Sequence, residues 1–198
     1  MPKEVRLKTP LSDEEVRGLE VGDVVYLNGT VFTARDLAHR RIIKYLENGE
    51  GLEEDLEGGA LFHAGPMVRR RNGGWEVTAI GPTSSIRMEP FSEVIVGRLG
   101  VKAIIGKGGM GDGTLSTLKM HRGVYLISPP GCAVIQGKAL RRVLRVHWLD
   151  LGMPEAMWVL EAKDWGPLIV GMDSKGESIF RRVRERALKR ISELFHEG

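Results

Sequence analysis

The chain has 198 residues, a formal net charge of +3 and a pI near 9.1, with 42% hydrophobic and 28% charged residues. That balance is ordinary for a soluble globular chain able to bury a sizeable core, with one domain over residues 1–198 as the simplest organisation. The single cysteine, Cys132, excludes an internal disulfide and any all-cysteine metal site, and no run nears the roughly 18 apolar residues of a membrane span.

Met1–Pro10 holds basic residues but no apolar stretch of a secretory leader, so the expected compartment is the cytoplasm. Asn appears only as Asn28, Asn48 and Asn72 and Gln only as Gln136, beside abundant Glu, Lys and Arg, which leans towards a thermophilic source. The positive charge suits an anionic partner, either nucleic acid or a small polycarboxylate. Its short clusters, Arg69–Arg71, then Arg141, Arg142 and Arg145, then Arg181–Arg190, read first as solvated faces.

In chain order, Ser12 followed by Glu15 predicts a capped short helix. Val24–Leu27 predicts a strand, and the turn signal Asn28-Gly29 predicts a hairpin returning through Thr30–Phe32. Thr33–Leu46 has helical spacing, with Leu37, Ile42, Ile43 and Leu46 roughly on one face. Asn48–Gly59 is acidic and glycine-rich, a surface loop or short helix. Leu61–His63 and Trp75–Ile80 predict strands. Val101–Ile105 predicts a wholly apolar strand, Thr114–His121 a helix stopped at Gly123, and Val124–Ile127 another buried strand. Val159–Ala162 and Pro167–Met172 predict two more. Glu177–Phe195 has amphipathic spacing, read as packing on the core in preference to a partner face. Short apolar strands feeding glycine-rich turns and helices give an α/β layout with some parallel sheet.

Three loops could hold an anion. In Gly81-Pro82-Thr83-Ser84-Ser85-Ile86-Arg87, hydroxyls and N–H groups follow a proline turn, with Arg87 one turn on; a carboxylate cradle and a plain Thr/Ser helix cap both fit. Gly106–Gly111 satisfies a G-x-G-x-x-G pattern. The next strand ends Leu126-Ile127-Ser128-Pro129-Pro130 without the acidic residue that a dinucleotide ribose needs, so the Rossmann reading fails. Lys107 among flexible backbone remains, as an anion contact or within a plain turn. At Arg35, a cation at a helix start needs an anion beside it, which a ligand or Asp36 could supply. The five histidines have no metal-binding spacing.

Taken together in order, Thr33-Ala34-Arg35-Asp36 with His39, His63-Ala64-Gly65-Pro66, Gly81–Met88 and Gly106-Lys107-Gly108-Gly109 resemble the β subunit of class I fumarases and L-tartrate dehydratases. In one-chain members the same unit is the C-terminal domain. Gly152–Ala156 and Gly166–Val170 fit as well, so the resemblance spans nearly the whole chain. It implies a three-layer β/β/α domain of the swivelling kind with mixed sheets. It further implies an α subunit carrying a [4Fe–4S] cluster, none being bound by this chain, and reversible dehydration of malate to fumarate, with L-tartrate as the nearest alternative substrate. By that resemblance Thr83 is the catalytic base, while Arg35, Arg87 and Lys107 bind the dicarboxylate. An α2β2 assembly is expected, active only with its cluster-bearing subunit, in the cytoplasm and without nucleic acid or membrane. Two positions depart from the pattern: Ile86 where Gly is expected, and Cys132 where another small residue is usual. A reading from another class, a basic nucleic-acid-binding domain, is disfavoured because only 6% of residues are aromatic and no basic–aromatic stripe is present.

Overall fold

The computed structural model describes residues 2–196. In order they form β1 (Glu4–Lys8), α1 (Asp13–Arg17), β2 (Val24–Thr33), α2 (Asp36–Glu47), β3 (Ala60–Phe62), β4 (Met67–Arg71) and β5 (Gly74–Ala79). A 3-10 segment, Ser85–Phe91, and a π-helical turn, Glu93–Arg98, lead to β6 (Ala103–Gly106), α3 (Asp112–His121), β7 (Val124–Ile127), α4 (Ala133–Ala139), β8 (Arg142–His147), β9 (Met157–Met172) and α5 (Ile179–His196).

The apolar runs are short because each is buried on both faces. In β3, β6 and β7 one alternate set (Ala60, Phe62, Ala103, Ile105, Val124, Leu126) points into the main core. The intervening Leu61, Ile104 and Tyr125 belong to outer clusters that also contain residues of α2 and α3. β2, β3, β6 and β7 run parallel. β9 pairs antiparallel with both β7 and β2 and closes them into a barrel-like ring. The α/β expectation with mixed sheet therefore holds, with the two β layers joined as walls of one ring. β1 lies on β2, while β8, β5 and β4 extend from β9 as an antiparallel wing. Inside the ring Phe62 and Trp165 meet with ring centroids 4.8 Å apart, and large apolar side chains buried this way contribute about 1.5–3 kcal/mol each.

The expected helix at Ser12 forms with both halves of its capping box. The expected hairpin at Asn28-Gly29 does not form: β2 runs straight through. The pair is instead a bulge facing a kink in β9 at Asp164 (φ 47°). The Asp164 N–H donates to Asn28 Oδ1 at 2.8 Å, and a side chain on Gly29 (φ +92°) would strike Thr9. For the same reason Val159–Ala162 and Pro167–Met172 are one 16-residue strand, β9. Tertiary pairing with β2 overrides the local turn signal.

α5 also departs from expectation. Up to Leu194, only its first turn packs: Phe180 lies against the α3-side cluster. Every residue from Arg181 to Leu194 is exposed, including Val183, Leu188, Ile191 and Leu194. The basic clusters are solvated and heavily paired. Glu76 accepts hydrogen bonds from Arg69, Arg71 and Arg141. Burial pushes its carboxyl up, but the three guanidinium groups prevail and hold it at about 2.

Candidate active site

The parallel strands β2, β3 and β6 deliver their carboxyl ends to one end of the ring, where open α/β sheets characteristically place their sites. β2 ends at Thr33 and passes through Ala34 and Arg35 into α2. β3 ends at His63-Ala64-Gly65-Pro66, and β6 at Gly106-Lys107. The segment after β5 crosses these ends. Ala64 bridges Pro82, Thr83 N–H donates to His63 O at 2.7 Å, and Ser84 bridges Lys107 in parallel register. Lys107 N–H donates to Thr83 O, and Ser85 N–H returns a bond to Lys107 O. Three loops far apart in sequence thus form one surface.

Arg87 is its hub. Its Nε and Nη2 hold the two Asp36 carboxylate oxygens at 3.2 and 2.9 Å, and Nη2 also donates to Thr83 Oγ1 at 2.9 Å. Burial pushes the Asp36 carboxyl up, but Arg87 outweighs burial and leaves it below the usual carboxylate range. Arg35 sits at the N-cap of α2 and makes no capping bond. Its Nε lies 3.2 Å from Glu155 Oε1, close enough for an ion pair, yet this buried N–H has no aligned acceptor. A buried donor in that state is costly unless an anion completes it. Glu155 is meanwhile committed to α2, accepting the Leu37 N–H at 2.9 Å. Asp36, the sequence candidate for neutralising Arg35, belongs to Arg87 instead, and Glu155 takes its place. Among the described residues Lys107 has no carboxylate partner, unlike the two arginines.

Sequence reasoning misses Glu155 as a site residue, although it lies within the Gly152–Ala156 segment that the sequence singles out. Its position depends on Gly65, where a Cβ would collide with Pro154 O. Gly65→Ala is expected to destabilise the fold by about 1–3 kcal/mol, measured by urea unfolding. An unchanged midpoint would show that the Pro154 chain yields freely.

Beneath the loops lie two buried histidines. His39 is held near 4, chiefly by burial, against the opposing pull of the Arg35 carbonyl and Asp36. His63 is held well below its ordinary value by burial first, then by His39 and Arg87. Groups depressed in this way are neutral when folded and take up protons on unfolding, so their stabilisation is complete above pH 6.5 and shrinks as pH falls towards 4. Between about pH 7 and pH 5, His39 alone is expected to cost on the order of 2 kcal/mol. Equal urea midpoints at the two pH values would contradict this.

The surface is open, with Arg87 and Ile86 exposed and Thr83, Arg35 and Lys107 half-buried. A groove of about 460 Å³ lies elsewhere, between Arg71, Trp75 and Arg142 on the β4–β5–β8 wing. Among the described residues no three His, Cys, Asp or Glu side chains converge where they could hold a metal ion. Cys132 is half-buried at the start of α4, beside an apolar pocket lined by Trp165 and Pro167. No helix among the described residues is long and apolar enough to cross a membrane.

The family model described as "Fumarase C-terminus" matches residues 1–183 of this mixed α/β ring. The chain belongs to that family. It is 44% identical over 93% of its length to a provisionally named L(+)-tartrate dehydratase subunit beta of Methanocaldococcus jannaschii, covering 95% of that protein. It is 41% identical to L(+)-tartrate dehydratase subunit beta of Escherichia coli, covering 96% of each chain. To a provisionally named class I fumarate hydratase of Geobacillus stearothermophilus it is 42% identical, covering 96% of this chain but 36% of that longer protein.

Proposed function

We propose that this chain is the β subunit of a heteromeric [4Fe–4S] hydro-lyase that interconverts a 2-hydroxydicarboxylate with its dehydrated product. Malate and fumarate are the leading pair. L-tartrate is the second reading, favoured by the names of the relatives matched over nearly their full length. The observation that carries the proposal is the Asp36–Arg87–Thr83 chain beside Arg35, whose buried Nε–H has no aligned acceptor.

The substrate carries two carboxylates and must lose a hydroxyl and a proton from the adjacent carbon. When bound by the partner subunit, the cluster supplies Lewis acidity towards that hydroxyl. Arg35 and Lys107 bind the carboxylate on this chain's side, Arg35 completing its unpaired donor in doing so. Thr83 Oγ1, as the alkoxide, takes the proton from carbon and becomes the alcohol; passing that proton to the departing hydroxide, which leaves as water, restores the alkoxide. An ordinary alcohol is a poor base, but a cation donating to its oxygen favours the alkoxide, and Arg87 Nη2 does so at 2.9 Å. Asp36 fixes the guanidinium plane that makes this contact.

The open surface supports dependence on a partner: in free solvent these charges are screened, and a covering subunit would strengthen them. Extensive pairing of the basic clusters with Glu76, Glu161 and Glu54 supports leaving nucleic acid aside. The chain alone is expected to be inactive. Anaerobic mixing with a cluster-loaded α subunit should restore hydration of fumarate or dehydration of L-tartrate, in an assembly sized by sedimentation. Full activity from the purified chain alone would sink the proposal.

A further inference from the structure

The buried polar groups under the site form a continuous line. His63 Nδ1 lies 2.9 Å from Ser85 Oγ. Tyr125 Oη lies 3.1 Å from the same Ser85 oxygen and 2.9 Å from Gly108 O. His63 and Ser85 are almost wholly buried, as is Tyr125 on β7. The fold makes room for this line at Gly106, where a Cβ would collide with Ser85 Oγ and sit 3.3 Å from His63 Nδ1.

Counting protons fixes the direction of the line. Gly108 O can only accept, so the single Tyr125 hydroxyl proton goes there. Tyr125 Oη must then accept from Ser85, whose one proton is thereby used. Ser85 Oγ must in turn accept, and the remaining donor is His63 Nδ1–H. Any other arrangement leaves two of these polar atoms within 3.1 Å of each other with no proton between them, an expensive contact of lone pairs.

The line adjoins two of the site residues, Thr83 and Lys107. His63 O receives the Thr83 N–H, Ser85 N–H is bonded to Lys107 O, and Gly108 adjoins Lys107. We infer that His63, Ser85 and Tyr125 form a one-directional hydrogen-bond relay, His63 Nδ1–H to Ser85 to Tyr125 to Gly108 O, that holds Thr83 and Lys107 in catalytic register. They are positioning residues, acting through Thr83 and Lys107. The catalytic half of this inference rests on the proposed hydro-lyase reading, while the relay itself does not.

Two measurements separate them. In the chain labelled with 15N-histidine at about pH 7, two-bond proton–nitrogen correlations should place the His63 proton on Nδ1. In Tyr125→Phe, which keeps the ring and removes only the hydroxyl, Ser85 is released to donate to His63, and the proton should move to Nε2. A wild-type His63 protonated on Nε2 overturns the relay. In the assembled enzyme, Tyr125→Phe and Ser85→Ala should each lower kcat about tenfold with KM changed less than about threefold, and the double variant should be no worse than either alone. Lowered stability with unchanged kcat would reduce the relay to a structural role and overturn its positioning function. A wild-type pair without hydro-lyase activity would reject the functional reading and leave the tautomer result to decide the relay.

Discussion

Thr83→Ala, in the chain assembled with its partner subunit, is expected to lower kcat by about 10³-fold, within the range that a positioned acid or base contributes. KM is expected to change by less than about threefold, because in the proposed reading the hydroxyl acts in the transition state and the carboxylate contacts belong to other side chains. Thr83 is half-buried and its backbone is already held by His63 O and Lys107 N–H, neither of which needs the side chain. The variant should therefore fold with the wild-type urea midpoint. Its loss would appear in steady-state kinetics and in slowed wash-in of deuterium at the substrate carbon. Near-normal turnover would remove Thr83 as the base and shift attention to another oxygen or nitrogen near the open face.

The second large effect is expected at Arg87. Arg87→Lys keeps the charge but not the fork. Three contacts are made by two nitrogens of one plane: two to the Asp36 carboxylate and one to Thr83 Oγ1. A lysine, as a point charge on a flexible stem, can replace one of them. Losing the directed contact with Thr83, one charge-assisted hydrogen bond worth roughly 1.5–3 kcal/mol, should lower kcat/KM by about 10- to 10²-fold. Folding stability should fall by less than about 1 kcal/mol, since the Arg87–Asp36 pair is 45% and 34% exposed and partly screened. That split between kinetics and unfolding is the check. A lysine variant with wild-type kcat/KM would show that charge alone suffices and that the planar contact with Thr83 has no catalytic part.

Much of the candidate site is legible in the sequence. Thr83, Arg35, Arg87 and Lys107 stand out in loops rich in hydroxyls, glycine and cations, and the fold brings those loops to one end of the ring. The acidic half is not legible. Asp36 adjoins Arg35 in sequence, so local reading pairs them. In the fold Asp36 reaches Arg87, 51 residues on, and Glu155 reaches Arg35 from the far side of the chain. Ion pairing follows side-chain direction at a helix start, which sequence spacing alone does not give. The relay is equally hidden. Ser85 reads as one more hydroxyl in an anion loop and Tyr125 as one more apolar residue of a strand, whereas parallel packing of β3, β6 and β7 sets them against His63.

The sequence by itself determined the strands that are buried on both faces, the capped helix at Ser12, and the hydroxyls and cations that the three loops carry. These depend on residue type and short-range spacing, which act locally. Only the tertiary structure decided that Asn28-Gly29 is a bulge and not a turn, and that two predicted strands are one long β9. It likewise decided that α5 leaves most of its apolar face uncovered. Each of those outcomes turns on what lies opposite: β9 holds β2 straight through a turn signal, while among the described residues no packed element lies opposite α5 beyond its first turn. A turn or an amphipathic helix states a local preference, and a few hydrogen bonds or the lack of a facing surface are enough to overrule it.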